Sequence, residues 1–214
     1  MDTAHNNGQS FALPLLIIAI GGIYSEKSGI TNLALEGFQG FGAFIGALSA
    51  ILISNSFGLD IQNLFYVALL FAMIGGMAFA IIHAVLCIKF KANQVISGVV
   101  INILAMALTT FLTTQINALV FGMASDKFQL GVMERFTIPG LADIPLIGAI
   151  FTNVYPFEVL IIVIAIFAWY LLYKTKFGMR LRACGENPHS VDAAGVDVAK
   201  IRYTAVLISG LLSG

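Results

Sequence analysis

The residues of this chain that could do chemistry are few, polar and set inside long apolar runs. Asn32 and Glu36 fall four apart in GITNLALEGFQGFG, and Asn93, Ser97 and Asn102 punctuate KANQVISGVVINILA. Amides, a hydroxyl and a carboxylate bind neutral polar groups by hydrogen bonds, and they form no nucleophile–base pair. The chain has no GxxxxGK(S/T) phosphate loop, HExxH, paired CxxC or GxSxG. It therefore reads as a non-enzyme that calls for no cofactor and no metal, and that does not hydrolyse ATP itself. Cys87 and Cys184 read as free thiols, because two widely separated cysteines make no disulfide framework.

Each polar position carries two readings. An ionisable residue in a membrane segment is costly and usually faces a cavity or a partner. Glu36 follows the cluster Ser28, Gly29, Thr31 and Asn32, with Thr31 or Asn32 expected as the N-cap of the next helix. The helix dipole favours its carboxylate there. It either lines a path or pins this turn, or it is an interface-level glutamate touching headgroups or Lys27. Asn102 lies two turns into its span and must find partners, on a neighbouring helix or along a polar path that Ser97, Thr109 and Thr113 extend. Asn93 sits at the inner interface. His83, near the inner end of its span with no carboxylate at helical spacing, reads as a packed or interfacial histidine rather than a proton relay. Gly37, Gly42 and Gly46 give one helix a small-residue face suited to close helix packing.

The elements that must position these residues are membrane helices. The chain is 59% hydrophobic and 10% charged, against roughly 25% charged in soluble domains. Crossing a ~30 Å hydrocarbon core takes about 20 apolar residues, and five segments qualify, near 11–24, 33–53, 64–88, 95–112 and 157–173. A sixth begins near 201 and stops at 214, so the chain reads as a single transmembrane domain over 1–214 cut from a longer protein. The first segment is short, and Gly21 and Gly22 suggest a broken or partial crossing. Runs such as VLIIVIAIFAWYLLY do not alternate, which excludes a β-barrel. The expected fold is an all-α polytopic transmembrane helix bundle.

Lys and Arg mark the cytoplasmic side. Placing Lys27, Lys89, Lys91 and the loop 174–200 inside, with Arg202 at its edge, puts nine of the eleven basic residues there and the N-terminus outside. The outer connection around 136–151, FTIPGLADIPLIGAIF, is too irregular to span and too apolar for a free linker. It could serve as a surface platform for a partner, or as an ordinary ordered loop. Zero net charge and the absence of a basic tract leave no footprint for nucleic acid.

Within the loop 174–200, Asn187 is a good N-cap, Pro188 suits the first helical position and Gly195 is a natural stop. A helix of about two turns is unstable alone, so it needs a surface. Val191, Ala194 and Val198 offer an apolar side and Glu186, Asp192 and Asp197 acidic contacts. Either a partner or the chain's own membrane helices would receive it.

Three blocks carry a family resemblance: GGIYSEKSGITNLALEGFQGFGAFIGAL, KANQVISGVVINILA and GMRLRACGENPHSVDAAGVDVAKIRYTAVLISGLLSG. Together they resemble permease subunits of ABC importers of the branched-chain amino acid, ribose and nucleoside class, nearest the simple-sugar and nucleoside permeases. The resemblance implies a cytoplasmic-membrane protein of a prokaryote that moves a small polar solute by alternating access. A nucleoside or simple sugar is favoured, and a branched-chain amino acid is a further option. The implied partners are a second permease subunit, cytoplasmic ABC ATPases and an extracellular or periplasmic solute-binding protein. The family's coupling helix maps onto Glu186, Asn187, Pro188, His189, Val191, Asp192, Ala194 and Gly195. An ATP-independent secondary transporter or channel is the competing reading, but it predicts paired intramembrane charges, and Glu36 stands alone.

Overall fold

A computed structural model describes residues 2–59, 64–122, 125–128 and 156–214. Among these residues eight α-helices occur and no strand. They are α1 (Asp2–Lys27), α2 (Leu35–Phe57), α3 (Phe65–Ala84), α4 (Gln94–Ile116), α5 (Pro156–Lys174), α6 (Lys176–Glu186), α7 (Pro188–Ala193) and α8 (Val198–Ser213). α3 and α4 each run on into a π-helical turn, Val85–Lys89 and Asn117–Phe121. Four stretches, Leu35–Phe57, Phe65–Lys89, Gln94–Val120 and Phe157–Lys174, are long and apolar enough to cross a membrane. Helices satisfy their own backbone where no water can. Leu70, Ile103, Met106, Ile166 and Phe167 face outward, as in a fold whose surroundings are hydrocarbon. The chain is an all-helical, multi-pass membrane bundle.

α8 occupies the middle and packs on α1, α2, α3 and α6. Its neighbouring residues Ala205 and Val206 enter two separate cores. Val206 joins Phe38, Phe79, Ala80 and Ile101, while Ala205 joins Tyr24, Leu172 and Leu181. The Tyr24 hydroxyl donates to the Ala168 carbonyl and ties α1 to α5.

Small residues set the helix spacing. A Cβ on Gly42 would stand 2.7 Å from the Ala72 carbonyl oxygen, and one on Gly46 would stand 2.8 Å from that of Ala68. Across the next contact, a Cβ on Gly76 of α3 would fall 2.6 Å from the Gly214 Cα and against the Gly210 carbonyl. α2, α3 and α8 can approach this closely only because these positions lack side chains.

Two expectations change. α1 runs without a break through Gly21 and Gly22, which removes the break but not the partial crossing, since α1 is not among the four helices long and apolar enough to cross a membrane. Gly21 serves close approach instead, since a Cβ there would stand 3.0 Å from the Ser209 carbonyl oxygen. Neither Thr31 nor Asn32 caps α2. The N-cap is Ala34, with no side-chain cap, because the Asn32 oxygen is taken by the N–H of Ala34 itself, ahead of the helix. The platform expected at 136–151 lies outside the described residues.

The ends of α1, α3 and α5 meet the starts of α2, α4 and α8 at one end of the bundle. That end gathers Lys27, Lys89, Lys91, Lys174, Lys176, Arg180, Arg182, Lys200 and Arg202.

Candidate functional site

Between α1 and α2 the backbone leaves the helix at Gly29, which is left-handed at φ 86°, and stays irregular to Ala34. This unwound stretch does not remain at the membrane surface. Its Leu33 carbonyl accepts a 2.8 Å bond from Asn102 Nδ2, and Asn102 lies eight residues, about 12 Å, along α4 from Gln94. Irregular backbone at that depth requires every polar group to be met by protein or by a water-filled cavity.

Side chains from four helices meet it. Arg202 Nε donates to the Ser28 carbonyl at 3.1 Å and Ser25 Oγ to that of Ile30 at 2.8 Å. The Thr31 N–H donates to Gln94 Oε1 at 2.6 Å. Asn32, 3% exposed, accepts from the Ala34 N–H at 3.0 Å and donates to Ser209 Oγ at 2.9 Å. Asn102 also accepts from the Gly37 N–H at 2.8 Å, which caps the first turn of α2 from another helix. Among the described residues no buried side-chain polar atom lacks a partner.

His83 completes the set. Its Nε2 lies 3.4 Å from the Thr31 carbonyl and its Nδ1 2.9 Å from Ser97 Oγ. A carbonyl can only accept, so Nε2 carries a proton, and in the neutral ring Nδ1 then accepts from the Ser97 hydroxyl. This is a packed, satisfied histidine, with Phe38 set edge-on at 6.1 Å.

The structure thus brings Asn32, Ser97 and Asn102 to one segment, Ser97 acting through His83. Glu36 lies beside it, exposed in the first turn of α2, with no hydrogen bond or ion pair among the described residues. It opens on a cavity of about 340 Å³ between α2 and α4, shared with Gly37, Gly40, Asn102, Met106 and Thr109. A carboxylate facing a cavity can accept paired O–H or N–H donors. Asn93 stands apart. Its Oδ1 accepts from the Val95 and Ile96 N–H groups at 3.0 and 3.2 Å and caps α4. Gly37 presses against Asn102, where a Cβ would stand 2.9 Å from Oδ1.

At the basic end, α5 turns into α6 at Thr175, whose hydroxyl accepts from the Gly178 N–H. Arg182 lies over the Tyr173 ring at 5.1 Å. Gly185 is pressed against the Lys27 carbonyl at the end of α1. Burial pushes the Cys184 thiol up from its ordinary pKa, and the Arg202 charge pulls it partly back. Both cysteines are free.

α7 follows directly. Asn187 Oδ1 accepts from the Ser190 N–H at 3.1 Å, Pro188 starts the helix, and Gly195 ends it at φ 78°. α7 packs on α6 and α8. Val191 is buried there, whereas His189, Asp192, Ala194 and Gly195 are exposed and Pro188 is half-buried. Glu186 is exposed at the end of α6 and borders a small polar cavity with Glu26, Lys27 and Arg182.

Sequence reasoning missed Arg202, Ser209 and Gln94 as members of the site. Their contacts join residues 174, 177 and 63 positions apart. The available signal was the pattern Ala205, Ser209, Gly210, Ser213 and Gly214, a small-residue face on the last helix.

Residues 6–214 match the family profile described as branched-chain amino acid transport system / permease component. The guanosine ABC transporter permease protein NupQ of Bacillus subtilis is 40% identical over 205 residues, 95% of this chain and 62% of that protein. The nucleoside ABC transporter permease protein NupC of Lactococcus lactis subsp. cremoris is 38% identical over 210 residues, again 95% and 62%. The chain spans about 62% of the length of these relatives. No solved structure matches it significantly.

Proposed function

The chain belongs to the branched-chain amino acid transport system / permease component family, and on that premise we propose that it is a permease subunit of an ATP-driven importer. A nucleoside is the favoured solute, in line with the named relatives. A simple sugar would use the same chemistry, since both carry adjacent hydroxyls. The basic end of the bundle lies in the cytoplasm and the N-terminus outside, following the Lys/Arg bias.

α7 and its flanks, Glu186 to Gly195, form the coupling helix that docks on a cytoplasmic ATPase. The single observation that carries this reading is the exposed face of α7. A six-residue helix, capped at both ends and seated on α6 by Val191, presents His189, Asp192 and Ala194 outward. Too short to stand alone, it is held ready by its own chain. A second permease subunit and a solute-binding protein complete the assembly. Asn32, Ser97 and Asn102 shape the unwound segment beside the solute path, and Glu36 faces the path itself. Asn93 belongs to it only as the cap of α4. Alternating access then proceeds as rigid movement of packed helices across an interface.

The test is Asp192→Arg with Ala194→Arg in the full-length protein. Co-purification of the ATPase and solute uptake should both fall sharply. Undiminished co-purification overturns the docking assignment.

A further inference from the structure

Arg202 and Ser209 are seven residues apart on α8, and seven residues return to nearly the same face, about 20° from alignment. Both point at the unwound segment. Arg202 holds its first residue through the Ser28 carbonyl, and Ser209 holds its fifth through the Asn32 amide. The same guanidinium reaches the Cys184 carbonyl at 3.5 Å, near the end of α6, and packs on Gly29, where a Cβ would stand 3.0 Å from Nη2. One side chain therefore joins three elements: the helix that carries α7, the turn at the end of α1, and α8.

The grip leaves little freedom. Its two points on α8 are about 10 Å apart, and the four residues from Ser28 to Asn32 can cover at most about 14 Å. Stretching of the segment can absorb at most about 4 Å of separation between the two anchors, and a larger movement of α8 must pull the segment with it. Beyond Asn32 it leads directly to Leu33 and Gly37, which Asn102 holds, and to Glu36 at the cavity.

We propose that Arg202 and Ser209 are positioning residues that carry movement of the cytoplasmic α6–α7 unit to the unwound segment and so to the start of α2. This rests on the docking of α7 on an ATPase. Neither residue lines the cavity at Glu36. Arg202 transmits because its planar guanidinium can serve two carbonyls at once. Ser209 then keeps Asn32 in register with α8 as the helix tilts.

The experiment places Arg202→Met, Arg202→Lys and Ser209→Ala in the full-length permease assembled with its ATPase in proteoliposomes. It reads ATPase co-purification, ATP hydrolysis and guanosine uptake. The expected result is retained co-purification and hydrolysis, with uptake per ATP down about fivefold or more for Arg202→Met, the scale of ordinary coupling between sites. Arg202→Lys, whose ammonium is a single point charge, should fall between wild type and Met, and Ser209→Ala should lower the ratio without changing co-purification. A wild-type uptake-to-hydrolysis ratio in Arg202→Met overturns the proposal. Should that variant not assemble, a wild-type ratio in both Arg202→Lys and Ser209→Ala overturns it equally. Failure of the docking premise looks different, because the Asp192→Arg, Ala194→Arg protein would then keep its ATPase.

Discussion

Asn32→Ala probes the unwound segment most directly. Asn32 is 3% exposed, with its oxygen on the Ala34 N–H and its nitrogen on Ser209 Oγ. Truncation orphans the N–H of Ala34, itself without solvent exposure, and removes the tie to α8. A side-chain bond between membrane helices averages only about 0.6 kcal/mol where other partners can step in. An orphaned buried donor costs about 1–3 kcal/mol. Burial excludes water here, so the second figure governs, and the two together come to roughly 2–4 kcal/mol. At about 2–4 °C per kcal/mol for a chain of this size, the unfolding midpoint should fall by roughly 4–16 °C. The assay is thermal unfolding of the full-length protein in detergent, followed by fluorescence-detected size exclusion. Asn102→Ala opens on the cavity between α2 and α4, where water can replace the amide, and should cost only about 1 kcal/mol. A midpoint for Asn32→Ala within about 2 °C of wild type would refute the reasoning.

Other expectations follow from the same contacts. Gly76→Val should abolish the folded bundle in a size-exclusion assay, because its Cβ meets Gly210 and Gly214. Gly40→Ala has nothing within 4 Å and should stabilise α2 by up to about 1 kcal/mol, since alanine is the better helix former. In a Cys87→Ala background, maleimide should label Cys184 slowly at pH 7. The raised pKa keeps the thiol protonated, and the thiolate is the nucleophile. The rate should climb only at a pH above that of an ordinary thiol, and Arg202→Met, which removes the charge that favours the thiolate, should slow it further. Fast labelling at pH 7 in the folded protein would count against the burial of α6.

Helices α2 to α5 and α7 were legible in the sequence because their signals are local, whereas α6 was read as part of the loop 174–200. Hydropathy marks α2 to α5, and Asn187, Pro188 and Gly195 bound α7 within nine residues. The glycines of α2 reveal a packing face, though not its partners Ala68 and Ala72. The site is less legible because its bonds are remote. Asn32 reads locally as a cap, and only Ser209, 177 residues later, turns it into a tertiary contact. Arg202 reads as one basic residue among those that mark the inner face. Its second role depends on the Ser28 and Cys184 carbonyls, which carry no side-chain signal at all.

Ala205 and Val206 feed two different cores, and no residue from 201 to 214 is exposed. Such a helix resists rotation about its own axis, since rotation would pull Ala205 from one core and press Val206 into the other. What remains open to α8 is sliding or tilting along the smooth tracks of Gly21, Gly42 and Gly76. The glycines that let the helices pack so closely therefore also decide which motion the bundle can make, and they confine it to a direction that leaves both cores filled.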